Sequence, residues 1–148
     1  MDKEKVLFVC VHNSARSQMA EAFLNRLAAD RFEAESAGLE PGRLNPLVVE
    51  VMKEAGMDIS GNKTKSVLDL FSQGRQYDDV ISLCDEFEGG ACPVFPGVFN
   101  RLHWSFEDPS GFSGTHEEKL QKTRKLRDAI KAKIEQWVDE KRQEKGDR

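Results

Sequence analysis

An apolar run that stops at a cysteine and passes through a short turn into a helix constrains this chain more than any other segment. Val6-Leu7-Phe8-Val9 reads as a buried strand, Cys10 ends it, and an amphipathic run opens at Gln18 and continues to Leu27. Between them lies Cys10-Val11-His12-Asn13-Ser14-Ala15-Arg16-Ser17. A turn made by Val11, His12, Asn13, Ser14 and Ala15 directs its backbone N–H groups inward, where they hold a tetrahedral oxyanion without side chains. The same N–H groups and the helix dipole favour the thiolate of Cys10. Arg16 adds a planar fork that grips two oxygens of a phosphate-like ligand. A strand-end cysteine is often inert and buried, and Cys-x5-Arg alone is a common pattern. The strand before it, the helix after it and Ser17 behind the arginine favour the anion site.

The 148 residues are expected to form one domain, 1–148. A formal charge of -4 argues against a general nucleic-acid binder, so any positive potential must be made locally, as the loop makes it. Met1-Asp2-Lys3-Glu4-Lys5 leads into the first strand without the apolar core of a signal peptide, and no run is long enough to span a membrane. A cytoplasmic protein with no membrane or nucleic-acid partner is expected. In that reducing compartment cysteines are read for chemistry before structure.

Strand-like and helix-like patterns alternate, which predicts an α/β fold: a small four-stranded parallel sheet flanked by helices on both faces. Strands are expected at Lys5–Cys10, Phe32–Ala37, Tyr77–Cys84 and Asn100–His103. Helices are expected at Ser17–Arg31, from Asn45-Pro46 to Ala55, at Ser66–Phe71, and from Thr115 to Arg142 with Leu120, Leu126, Ile130, Ile134 and Trp137 as the buried stripe. Ligands of such sheets sit at the carboxyl ends of the strands. Cys10 and Cys84 both end strands, and if those strands are neighbours, about 4.8 Å apart, the two thiols share a rim.

Cys84 and Cys92 complete the cysteine inventory. A zinc site would want four ligands, and His12, His103 and His116 are scattered. A redox pair fits better, on one condition. A helix over 84–92 would hold the Cα atoms about 12 Å apart, at about 1.5 Å per residue, whereas a disulfide needs roughly 4.4–6.8 Å. The segment must loop, and Gly89-Gly90 eases that. Downstream, Glu107-Asp108-Pro109 reads either as a plain turn or as an acid poised to protonate a leaving oxygen; beside Cys10 and Arg16 the second is preferred.

Together the strand, the Cys-x5-Arg-Ser loop, the late Asp108-Pro109 and the length resemble the low-molecular-weight protein tyrosine phosphatase fold. Asn13-Ser14-Ala15-Arg16-Ser17-Gln18-Met19-Ala20-Glu21, the Cys84 and Cys92 pair, and His103-Trp104 resemble its thioredoxin-coupled arsenate reductases. The resemblance implies Cys10 as nucleophile, Arg16 as oxyanion ligand, Asn13 as the residue that shapes the loop and Ser17 as stabiliser of the thiolate. It implies Asp108 as general acid and Cys84 and Cys92 as a disulfide relay regenerated by thioredoxin. Arsenate would be the substrate, with phosphate or sulfate as mimics, and the protein a monomer needing no cofactor. A potassium ion beside the loop is a further implication, through Asn13, Glu21 and Ser36; Ser66 stands where the family carries an aspartate as fourth ligand. Two other departures are Ala15, a cysteine in many relatives, and the spacing of Cys84 and Cys92.

Electron counting separates the readings. Reduction of arsenate to arsenite takes two electrons, and two thiols becoming one disulfide supply two. A phosphotyrosine phosphatase needs only Cys10, Arg16 and Asp108, and leaves Cys84 and Cys92 idle. It also usually places an aromatic directly after the Asp-Pro, where this chain has Ser110-Gly111, with Phe112 next. A non-catalytic oxyanion or redox sensor would have no use for Asp108.

Overall fold

The computed structural model describes residues 3–84 and 100–146, with side chains as far as 144. In chain order the elements are β1 (Glu4–Cys10), α1 (Arg16–Leu27), β2 (Phe32–Gly38), α2 (Pro46–Glu54), α3 (Val67–Ser72), β3 (Asp79–Ser82), β4 (Asn100–His103), a 3-10 turn (Pro109–Gly111) and α4 (His116–Gly146). The strands form one parallel sheet in the order β2-β1-β3-β4, so the chain winds outward from a central β1.

That placement explains the uninterrupted apolar run of β1, since a central parallel strand is covered on both faces. Val6 and Phe8 face Met19, Phe23 and Leu24 of α1, Val48 and Met52 of α2, and Ile130, Ile134 and Trp137 of α4. Leu7 and Val9 face the other way, onto Val67 and Leu70 of α3 with Tyr77 and Val80. Among the described residues the helices thus cover both faces unequally, three on one side and one on the other. Leu120, Leu126, Ile130, Ile134 and Trp137 are all buried, and Trp137 meets Trp104 edge-on at 6.2 Å.

Local chemistry sets several boundaries. Asn45 caps α2 by accepting from the Leu47 N–H, with Pro46 in the first turn. Thr115 and Glu118 form a reciprocal capping box at the start of α4, each side chain accepting from the other's N–H at 3.1 Å. Elsewhere packing overrides local preference. The α1 helix ends at Leu27 rather than Arg31, because Ala28 is wholly buried and its carbonyl accepts from both Arg31 and Phe32, turning the chain into β2. Strand β3 is only Asp79–Ser82, shorter than the Tyr77–Cys84 expected; ahead of it, Asp78 and Lys5 exchange hydrogen bonds through the Asp78 carboxylate and the Lys5 carbonyl. Helix α4 runs past Arg142 to Gly146.

At the end of the sheet away from Cys10, Glu4, Asp79 and Lys141 meet. The Lys141 ammonium stands 3.2 Å from Glu4 Oε2 and 3.5 Å from Asp79 Oδ1. Burial first, and Glu4 second, push the Asp79 carboxyl from its ordinary 3.8 to about 7, against the pull of Lys141. An acid that binds its proton more tightly when folded adds stability at low pH. That contribution is complete below pH 3.8 and is lost as the pH rises towards about 7. Between pH 4 and pH 8 the thermal midpoint of the native chain should therefore fall, and Asp79→Asn, which cannot ionise, should flatten the slope. An equally steep slope in the variant would assign the titration to another group.

Candidate active site

Strand β1 delivers Cys10 to the carboxyl edge of the sheet, and the chain turns through residues 11–15 before α1 begins at Arg16. Asn13 takes the turn's one left-handed conformation, at φ 55°, which asparagine tolerates better than most residues. The loop is steadied from outside. The carbonyls of Cys10, Val11, His12 and Ser14 accept from the N–H groups of Leu39, Glu40, Gly42 and Asn45, at 2.8–3.2 Å. The segment leaving β2 thus runs along the loop's outer edge and turns these carbonyls outward. His12 is exposed and donates from Nδ1 to the Glu40 carbonyl at 2.9 Å, strengthening the same seam.

Gly38 makes the close approach possible. A Cβ there would stand 2.7 Å from the Asn13 nitrogen and 2.8 Å from the Val11 carbonyl oxygen. Both are backbone atoms, with little freedom to yield.

Inside the loop, hydrogen bonds fix the orientation of one amide and link it to the cysteine. The Asn13 side-chain oxygen accepts from the Lys65 N–H at 2.9 Å, so the amide can face only one way. Its Nδ2 then donates to Ser17 Oγ at 2.8 Å. Ser17 Oγ in turn shares a hydrogen bond with the Cys10 sulfur, 2.8 Å away, in which either atom can donate. Asn13, Ser17 and Cys10 are all buried.

Arg16 is 2% exposed and donates from NH1 to the carbonyls of Phe106 (2.9 Å) and Leu83 (3.4 Å). Its NH2 lies 3.6 Å from Asp108 Oδ2. The other Asp108 oxygen caps the 3-10 turn through the Ser110 N–H at 2.9 Å. One carboxylate oxygen is thus structural, and the other is directed at the arginine. Phe112 packs half-buried against the hydrophobic core.

Cys10, Val11 and Cys84 form one buried cluster, which brings together the two cysteines that end β1 and follow β3. Cys10 is a free thiol, whereas Cys84 is disulfide-bonded. Cys92 lies outside the described residues.

The residues read as potassium ligands do not fit that ion here. Glu21 Oε1 accepts from Ser36 Oγ at 2.9 Å and faces the Lys65 ammonium at 3.7 Å. The Asn13 side-chain oxygen is taken by Lys65 and Gln18. Ser66, the fourth position, caps α3 instead. Burial raises the Glu21 carboxyl above its ordinary value, and Lys65 is the largest influence opposing it. Among the described residues no group of histidine, cysteine, aspartate and glutamate side chains could hold a metal ion, and no helix is long and apolar enough to cross a membrane.

Sequence reading located Cys10, Asn13, Arg16, Ser17, Cys84 and Asp108, and the structure gathers all six around one loop. It missed the outer seam of residues 39–45, and it missed Lys65. The glycine closing β2 was the only local sign of the seam.

The geometry has counterparts among known proteins. The family described as low molecular weight phosphotyrosine protein phosphatase matches residues 5–147. An arsenate reductase of Shouchella clausii is 38% identical over 140 residues, covering 94% of this chain and 98% of its own. A solved arsenate reductase in the phosphate-binding state is 34% identical, with a TM-score of 0.73 over 93% of this chain and 98% of that one. A thioredoxin-dependent arsenate reductase of Corynebacterium glutamicum is 31% identical, with a TM-score of 0.59 over 90% of this chain and 62% of that one.

Gly38→Ala should cost about 1–3 kcal/mol of stability, as overpacking against backbone does, and should abolish phosphate protection of Cys10 against alkylation. An unchanged melting curve and unchanged protection would refute the close approach. Thermal midpoints in potassium and sodium chloride at equal ionic strength should coincide; a rise specific to potassium would mean that Lys65 does not hold the place beside Glu21.

Proposed function

We propose that this chain, which belongs to the low molecular weight phosphotyrosine protein phosphatase family, reduces arsenate to arsenite and is regenerated by a thioredoxin-type dithiol. The observation that carries the reading is the pairing of cysteines: Cys84 packs in one buried cluster with Cys10 and is disulfide-bonded while Cys10 is free. Phosphoryl hydrolysis has no use for a second cysteine at the nucleophile. The arsenate reductases among this chain's relatives support the same assignment.

The loop N–H groups and Arg16 hold the arsenate oxygens. The Cys10 sulfur, as a thiolate in hydrogen-bond reach of Ser17 Oγ, attacks arsenic, and Asp108 supplies the proton with which one oxygen leaves as water. Cys84 then attacks the Cys10 sulfur. The sulfur–arsenic bond breaks with its electron pair moving to arsenic, which leaves as arsenite, and a Cys10–Cys84 disulfide remains. Cys92 attacks Cys84 and releases the Cys10 thiolate. An external dithiol finally reduces the Cys84–Cys92 disulfide, supplying the two electrons that arsenic gained.

Two features favour a small inorganic anion over an aryl ester. Phe112 packs half-buried against the core, and Ser110 directly after the Asp-Pro carries no ring to stack on a substrate. Weak phosphatase activity is expected beside the reductase, because backbone N–H groups distinguish phosphate from arsenate poorly.

Arsenate-dependent NADPH consumption with thioredoxin and thioredoxin reductase should be sustained in the native chain. In Cys92→Ser it should collapse to a single turnover, and in Cys10→Ser it should vanish. No arsenate-dependent consumption, together with rapid hydrolysis of an aryl phosphate, would establish a phosphatase instead.

A further inference from the structure

Taken as an inventory of backbone carbonyls, the anion loop leaves one position that needs a side chain. For the loop N–H groups to face an anion, the carbonyls alternating with them must face away and find donors there. Those of Cys10, Val11, His12 and Ser14 have the N–H groups of residues 39–45, and that of Ala15 has the Met19 N–H inside α1. The Asn13 carbonyl has no backbone donor among the described residues. Its partner is Gln18, whose Nε2 donates to it at 3.1 Å.

Gln18 is wholly buried and fully used. Two N–H bonds meet three oxygens: the Asn13 carbonyl, the Asn13 side chain at 3.2 Å and the Lys63 carbonyl at 3.2 Å. Its own oxygen accepts from Asn62 Nδ2 at 3.1 Å, which prevents the amide from flipping. One side chain therefore holds both polar ends of Asn13, at the loop's left-handed residue. The carbonyl contact orients the peptide plane that carries the Ser14 N–H. The side-chain contact assists the Lys65 N–H in directing Asn13 at Ser17, and through Ser17 at Cys10.

We infer that Gln18 is a positioning residue for oxyanion binding and for the Cys10 nucleophile. It aims one N–H of the cradle and braces the Asn13–Ser17–Cys10 chain, without touching the anion or the sulfur itself. The inference rests on the reading of residues 10–16 as the oxyanion site and extends it to a side chain on the first turn of α1.

The test uses inorganic phosphate as probe and the oxidised protein, in which Cys10 is free and Cys84 is disulfide-bonded. Iodoacetamide labelling of the Cys10 peptide is followed by mass spectrometry against phosphate concentration. Gln18→Met keeps the side-chain length and removes both donors and the acceptor. It should raise the phosphate concentration for half-protection about tenfold, the factor one ordinary hydrogen bond is worth, and should slow labelling in the absence of phosphate. A residue that only filled space would lower the melting temperature and leave both readings unchanged well below it. Equal half-protection in the native chain and a folded Gln18→Met overturns the inference while leaving the oxyanion site standing. Absence of protection in the native chain overturns the oxyanion reading and this inference with it. Should Gln18→Met fail to fold, the side-chain amide resonance of Gln18 in the native protein decides. It should exchange slowly with solvent and shift on phosphate saturation; an amide indifferent to phosphate overturns the inference.

Discussion

An anion can be held by bare backbone only if consecutive carbonyl oxygens are held elsewhere. Left without a donor, each buried carbonyl would cost about 1–3 kcal/mol, and several together would rival the stability of a whole domain. The architecture around Cys10 answers that constraint. Strand β1 ends where the loop begins, β2 ends at the one residue small enough to pass beneath it, and the chain beyond β2 donates to the loop's outer edge. The order of the sheet follows the same logic, because β2 must lie beside β1 for residues 39–45 to reach the loop.

How much of this was legible in the sequence depends on the range over which each cause acts. Short-range causes were readable. The run Val6–Val9 marked a central strand, Asn45-Pro46 marked the start of α2, and the spacing of Ile130, Ile134 and Trp137 marked the buried stripe of α4. That Cys10 and Arg16 share one loop was readable because five residues between them make one short turn, and Asp108 joined them only by association with that loop. Causes acting across the fold were not. Nothing local in Ala28–Arg31 stops a helix, and α1 ends there because Phe32 must enter the sheet. Lys65 follows Glu21 by 44 positions in sequence, and only the path of the chain after α2 brings its ammonium to that carboxylate. Gln18 sits inside a recognisable motif, yet its work is visible only once the carbonyls are counted.

The same few groups can serve two chemistries, and what separates them lies outside the loop. On the proposed reading, cradle, arginine and acid treat any tetrahedral oxyanion alike up to attack by the Cys10 sulfur. From there the outcome would depend on whether water or a thiol reaches the adduct first. Cys84 packs with Cys10 and Val11 in one buried cluster, so once reduced it would have the advantage of proximity. On that reading the redox chemistry needs no new fold, only a second sulfur beyond the end of the neighbouring strand.

Arg16 does more than face Asp108 across the loop. By donating to the carbonyls of Leu83 and Phe106 it clasps the chain on both sides of the stretch that carries Cys92. Selection therefore cannot retune the guanidinium at the loop without also loosening this tie between the chain after β3 and the chain after β4.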